Sequence, residues 1–307
     1  MRVVVTGATG VLGQAVVAAL LARGDEVVAL TRDADRARQA LGNRVDAHAW
    51  PNPTDAPPPE AALAGADAVV NLMGEQVAQR WTDEAKERIR RSRVDGTRQL
   101  VQGLLALAPD RRPATLVSQS ATGYYGARGD EPLTEDAPAG KDFLAGVVVA
   151  WEREALAAAS DLRVAMTRTG VVLSPDGGAL AKMLPFFRLG IGGPVAGGRQ
   201  YVPWVHLDDV VGVMLLCLDN AAATGPVNLT APGPVTNTEL SRTLGRVLGR
   251  PAVLPVPALA LKVLYGDMAE IITTGQRAVP ARLEQLGYQF RQPELEPALR
   301  DVLNRPS

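Results

Sequence analysis

The sequence predicts an α/β fold, a doubly wound parallel sheet with helices on both faces and a smaller C-terminal lobe. Three observations carry this. Apolar strand-like runs alternate with helical stretches rich in Ala, Leu, Glu and Arg. Each run is apolar on both faces, as a parallel sheet covered on both sides requires. From Ser174 onward the texture changes, with glycines crowding Gly190 to Gly198 and prolines breaking up Pro226 to Pro257.

The strand signals are Arg2 to Thr6, Glu26 to Thr31, Ala68 to Leu72, Thr115 to Gln119 and Val164 to Thr167. Helical patterns run over Leu12 to Ala22, Thr82 to Ala106 and Phe143 to Ala158. Right-handed βαβ crossovers between them wind the sheet in both directions. Proline-rich Pro51 to Pro59 reads as a surface connection in place of a regular crossover.

The first turn carries the chemistry. In Val3-Val4-Val5-Thr6-Gly7-Ala8-Thr9-Gly10-Val11-Leu12-Gly13, three glycines stand at three-residue intervals between an apolar strand and a helix. Gly7 and Gly10 permit a tight turn close to a pyrophosphate, Gly13 lets helix pack on strand, and the helix N-terminus offers N–H groups and a positive dipole. Strand, spacing and helix together predict a Rossmann-type dinucleotide site. At the end of the second strand, near the ~20-residue offset where an acid usually grips the adenosine ribose, stands Thr31-Arg32-Asp33. A guanidinium matches a 2′-phosphate bidentately, so Arg32 favours NADP(H) over NAD(H), which Asp33 keeps open. Residues 1–173 are then the NADP(H)-binding domain, with 204–230 returning to it, while 174–203 and 231–307 form a substrate lobe.

Composition narrows the alternatives. Across 307 residues the net charge is −1 and aromatics are 4%, which speaks against a nucleic-acid surface. Lone Cys217, in the apolar run Val210 to Leu218, is expected to be a small buried hydrophobe. No run reaches the roughly 18 apolar residues of a membrane span, and Met1 leads straight into a strand without a secretory signal, so a cytoplasmic protein is expected. Two distant histidines and one cysteine predict no zinc site.

With these motifs the chain resembles the extended and atypical branches of the short-chain dehydrogenase/reductase superfamily, which include nucleotide-sugar epimerases. More narrowly, Asn71-Leu72-Met73-Gly74-Glu75, Arg80-Trp81-Thr82, Ser92-Arg93, Ser120-Ala121-Thr122-Gly123-Tyr124-Tyr125-Gly126, Trp151-Glu152 and Trp204 to Asp209 are similar to an epimerase-family oxidoreductase group. The resemblance implies that Leu72, Met73 and Gly74 lie beside the nicotinamide ribose, and that Arg168 and Gly170 pass near the nicotinamide. It also implies a Tyr-x-x-x-Lys pair on a helix, moving a proton while hydride moves at nicotinamide C4. That pair is missing: Phe143-Leu144-Ala145-Gly146-Val147-Val148-Val149-Ala150-Trp151 holds no titratable group. The superfamily's structural Asn is matched by Arg93.

Ser120, by its place before Ala121-Thr122, is then expected to steady a substrate oxygen. Tyr125 and Tyr124 are the candidate acids nearest to it, and Tyr125 aligns with a substrate-contact tyrosine of the superfamily. A packed aromatic with a bonded hydroxyl explains Tyr125 equally well. Glu75 and Arg80, following the fourth strand, and Gln200, in the glycine-rich stretch, are candidate substrate contacts, with salt bridges and loop packing as their structural alternatives. His206 is expected to be a buried, bonded imidazole where the lobes meet, and Asp142 a helix cap. The expected function is an NADP(H)-dependent oxidoreductase on a small polar carbonyl or alcohol. A nucleotide-sugar epimerase and a non-catalytic NADP(H)-binding regulator or scaffold are the alternatives.

Overall fold

The computed structural model describes residues 1–304. Its first strands, β1 (Arg2–Thr6) and β2 (Glu26–Thr31), flank helix α1 (Val11–Ala22), and α2 (Ala34–Leu41) leads to β3 (Val45–Ala49). The proline-rich stretch then runs into the single turn α3 (Glu60–Leu63) before β4 (Ala68–Asn71). The long α4 (Asp83–Ala106) follows, then β5 (Thr115–Ala121), the two-residue β6 (Pro132–Leu133), α5 (Phe143–Leu156) and β7 (Arg163–Thr169).

Beyond these lie β8 (Val171–Leu173), α6 (Gly178–Arg188), β9 (Tyr201–Val202), β10 (Trp204–His206), α7 (Leu207–Asp219) and β11 (Gly225–Leu229). The chain ends with β12 (Val235–Thr236), α8 (Asn237–Leu248), α9 (Ala258–Tyr265), α10 (Ala269–Thr273), β13 (Arg277–Ala278), α11 (Ala281–Gln285) and α12 (Leu295–Asn304). Among the described residues no helix is long and apolar enough to cross a membrane.

Seven strands form one parallel sheet in the order β11-β7-β5-β4-β1-β2-β3. The sequence signals miss β3 and β11. β3 reads Val-Asp-Ala-His-Ala at the sheet edge, where only one face needs to be apolar. In the centre both faces are covered: Val3 and Val5 pack with Val16, Val17 and Leu20 of α1 and Val213 and Met214 of α7. Val4 instead meets Leu100 and Leu104 of α4, Leu116 and Val164. Strand order reverses between β1 and β4, so a crevice opens beyond their carboxyl ends, where doubly wound folds take their ligands.

A second small core joins Leu180, Leu184 and Phe187 of α6, Leu240 and Leu244 of α8, and Ala298, Leu299 and Val302 of α12. The C-terminal segment does not stay within this lobe. β13 pairs with β6, Leu283 of α11 is buried in the main core, and Tyr288 and Phe290 pack against that core. Buried Asp209 holds this return in place. Its Oδ1 accepts from Tyr288 Oη (3.0 Å) and the Arg291 amide (2.7 Å), and Oδ2 accepts from the Gln292 amide (3.0 Å).

Asp209→Ala strands those three donors in a closed site, so we expect a loss of about 3 kcal/mol of stability. A urea titration of wild type and variant reads it as a lower midpoint.

Candidate functional site

The crevice is built from backbone that tolerates no side chains. Gly7, at φ +64°, would place a Cβ 2.6 Å from the Leu72 carbonyl oxygen, and a Cβ on Gly13 would collide with the Gly7 carbonyl and Ala8. The Gly10 amide donates to Gly7 O (3.0 Å) to close the turn. Gly10 then caps α1 without a side-chain hydrogen bond. The first amides of α1, at Val11, Leu12 and Gly13, are thus left for an anion beside Thr9 and Gly10.

At the end of β2, Arg32 is exposed and makes no hydrogen bond or ion pair within the described residues. Asp33 is already engaged, its Oδ1 accepting from the Arg36 amide (3.0 Å) to cap α2. Thr31 stands beside it, half-buried. On the other side of the crevice the Leu72 amide donates to Thr6 Oγ1 (3.1 Å), and Thr6 Oγ1 to Asn71 Oδ1 (2.7 Å). Asn71 Nδ2 donates on to Thr97 Oγ1 (3.0 Å), which also accepts from Trp151 Nε1 (2.9 Å). This buried chain of hydrogen bonds sets the start of the Leu72–Gly74 segment against α4 and α5.

Several side chains that the sequence points to as catalytic or binding groups turn inward instead. Ser120 is 1% exposed and donates to Glu152 Oε1 (2.6 Å). Glu152 holds Arg168 through two parallel bonds, Nε to Oε1 (2.8 Å) and Nη2 to Oε2 (2.9 Å). Arg168 Nη1 donates to Tyr125 Oη (3.0 Å), and Tyr125 Oη to Asn228 Oδ1 (2.6 Å). Tyr125 is fully buried; burial pushes its phenol up to about 12 despite the pull of Arg168. Burial also works against the charge on Arg168, but its bonds to Glu152 hold the guanidinium above its ordinary range.

This network corrects three expectations. Ser120 and Tyr125 present no hydroxyl to the crevice, and Arg168, 3% exposed, binds Glu152 where a nicotinamide contact was expected. Nothing local in the chain signals these partners beyond Glu152 being the first titratable group on the helix. At Gly170 a Cβ would collide with the Pro203 carbonyl, so its smallness serves the crossing of chain segments. Gln200 ties the glycine-rich loop to α10, Nε2 donating to the Val195 and Ile272 carbonyls (both 3.0 Å). Arg80 donates to the Val263 carbonyl (2.6 Å) of α9, and Glu75 accepts from Gln79 (3.1 Å).

A further buried apolar cluster packs α5 against the loop after β4 and the C-terminal lobe. Leu144 and Val148, four apart on α5, pack with Ala121, Tyr124, Trp81, Ile89 and, from the C-terminal lobe, Tyr265, Met268 and Ile272. Tyr124 is half-buried with Arg168 Cζ 3.5 Å from its ring centroid, and its hydroxyl has no partner among the described residues. Asp142 caps α5 through the Ala145 amide (2.9 Å).

Away from the crevice, His206 caps α7, Nδ1 accepting from the Asp208 amide (3.1 Å), while Nε2 meets Asp301 Oδ2 (3.0 Å) of α12. His206, Asp208 and Asp301 thus come together, but both ring nitrogens are taken by this cap and tie. Cys217 lies in the core, where burial pushes its thiol up to about 12.

Two outcomes follow from these burials. Glu152→Gln leaves Arg168 as an uncompensated buried charge and should cost about 3 kcal/mol or more in a denaturant titration. Native Cys217 should resist alkylation by iodoacetamide at pH 8 and react once urea unfolds the chain, as mass spectrometry would show.

Comparison with known proteins agrees with this architecture. Residues 3–229 match the NAD dependent epimerase/dehydratase family, and residues 256–302 match a domain of unknown function, DUF1731. The chain is 41% identical over 310 residues to the chloroplastic SDR39U1 homolog of Arabidopsis thaliana, covering 99% of this chain and 87% of that protein. It is 34% identical over 308 residues to epimerase family protein SDR39U1 of Homo sapiens, covering 99% and 100%. A crystal structure of human SDR39U1 (isoform 2) with NADPH superimposes with a TM-score of 0.87 at 32% identity, over 99% of this chain and 100% of that one. A nucleoside-diphosphate sugar epimerase from Corynebacterium glutamicum superimposes at 0.76 with 32% identity, over 98% of this chain and 58% of that one. With the glycine turn, the seven-stranded sheet and these matches in agreement, the chain belongs to the NAD dependent epimerase/dehydratase family.

Proposed function

We propose that this chain binds NADP(H) across the β1–β4 crevice and acts as an oxidoreductase on a small molecule. The observation that carries the cofactor is Arg32, exposed and without a partner among the described residues at the end of β2, beside an Asp33 already committed to capping α2. A 2′-phosphate fits such a guanidinium, whereas a ribose hydroxyl asks for a free carboxylate. The NADPH in the structure of human SDR39U1 supports the reading. Gly7, Thr9, Gly10, Val11, Leu12 and Gly13 would hold the pyrophosphate, Thr31 and Arg32 the adenosine phosphate, and Leu72, Met73 and Gly74 the nicotinamide half. When bound, the cofactor supplies a hydride.

Tyr124 is the hydroxyl best placed to meet a substrate, because Ser120 and Tyr125 are committed to the Glu152–Arg168 network. The apolar pair Leu144 and Val148 favours a second reading, in which NADP(H) binding regulates or scaffolds without turnover. Assays with NADPH over carbonyl compounds and sugar nucleotides separate the readings: absorbance loss at 340 nm supports the oxidoreductase, and cycling without net oxidation an epimerase. Binding with neither leaves the regulator.

Arg32→Ala should weaken NADPH by about tenfold or more and leave NADH within about twofold. Calorimetric titration of both nucleotides checks this, and equal losses would refute the 2′-phosphate role.

A further inference from the structure

Apolar exposure is concentrated in one region of the small lobe. Among the described residues, most of the large apolar side chains that face solvent lie in two stretches, 186–191 and 253–264. Leu189, next to the end of α6, is 74% exposed, and Val253 and Leu259 reach 75% and 72%. Leu259 and Val263 stand about one turn apart on α9 and share a face. The two stretches border one another. The Ala196 amide donates to Val256 O (3.0 Å), the Val256 amide donates to Pro194 O (2.9 Å), and a Cβ on Gly190 would lie 3.5 Å from Pro251 Cγ. An exposed apolar patch of this kind marks a surface that meets a partner.

Charge identifies the partner. The chain carries 33 acidic against 32 basic side chains, yet residues 177–207 and 240–266 contain no Asp or Glu. Their cations flank the apolar positions. Arg188 stands between Phe186 and Leu189 in the chain and Lys262 precedes Val263, while Arg242, Arg246 and Arg250 line a concavity together with Val253. Arg246 is tied to Glu296 (3.0 Å). The side chains of Arg188, Arg242 and Arg250 are exposed and make no hydrogen bond or ion pair among the described residues. A second copy of the chain is a poor match, because a two-fold contact would lay this face on itself, cation against cation, with no acid from either stretch to pair them. An anionic bilayer suits it: apolar side chains need no shaped partner there, and guanidinium groups meet lipid phosphates.

We propose that this face of the small lobe docks on an anionic lipid surface. Leu189, Val253 and Leu259 enter the boundary between headgroups and acyl chains, and Arg188, Arg242 and Arg250 engage lipid phosphates. The contact is peripheral, since no described helix is long and apolar enough to cross a membrane. It is carried by observations separate from those for the cofactor and holds whichever reaction the crevice performs.

The test is flotation of the full chain with large unilamellar vesicles, either of phosphatidylcholine alone or with about a third phosphatidylglycerol. We expect the anionic vesicles to bind at least about tenfold more tightly, each basic side chain at the surface being worth about fivefold. The preference should vanish in about 1 M NaCl, where screening acts within about 3 Å. Arg188→Gln combined with Arg250→Gln should weaken binding to anionic vesicles by about tenfold or more. Leu189→Glu combined with Leu259→Glu should abolish flotation. All four positions are exposed, so thermal melting followed by circular dichroism should match wild type and show both variants folded. No flotation with anionic vesicles, equal binding to both vesicle types, or unchanged flotation of either variant would overturn the proposal. So would a dimer in sedimentation velocity that Leu189→Glu with Leu259→Glu dissolves, because the face would then belong to a second copy.

Discussion

The close backbone approach at the first turn governs much of the molecule. Gly7 brings its chain against the Leu72 carbonyl, and Gly13 brings α1 against Gly7 and Ala8. A methyl group at either position would push apart β1, α1 and the segment after β4. The same absence of side chains leaves the first amides of α1 open beside the close-packed turn. The crevice between β1 and β4 exists because strand order reverses there, and the glycines let its two walls stand close.

On the far side of the sheet end, a buried ion pair takes the place of exposed chemistry. Glu152 and Arg168 meet through two parallel hydrogen bonds, and Ser120, Tyr125 and Asn228 complete their bonding. Such a pair is stable only when nearly every donor and acceptor is satisfied. That requirement consumes the hydroxyls of Ser120 and Tyr125. Tyr124 escapes, because its ring serves as the face on which Arg168 rests while its hydroxyl is left over.

The C-terminal lobe is joined to the sheet more tightly than a composition boundary suggests. β13 pairs with β6, Leu283 enters the main core, and Asp209 gathers the chain near Arg291. His206 and Asp301 tie α7 to α12. Through Arg80, Lys182 and Gln200, the loop after β4 and the glycine-rich loop are bonded to neighbouring segments. The apolar cluster around Trp81 and Tyr265 is therefore held from both lobes.

Local signals were enough for the fold class and for the glycine turn between β1 and α1. Glycine spacing, the strand before it and the helix after it are contiguous in the chain, and Arg32 follows β2 directly, so backbone sterics and helix polarity make them legible. The lack of a Tyr-x-x-x-Lys pair was legible for the same reason. Strand β3 was hidden because an edge strand needs no continuous apolar run, and the return of residues near Leu283 because its partners lie far away in sequence. The direction in which Ser120, Tyr125 and Arg168 face was decided only in three dimensions. Each is polar and stands at the end of a strand, and nothing local says whether its partner will be a substrate or a buried carboxylate. The sequence by itself determined the fold class and the glycine turn after β1; the tertiary structure decided which side chains are spent on holding the protein together, because hydrogen-bond satisfaction is settled by neighbours from distant segments.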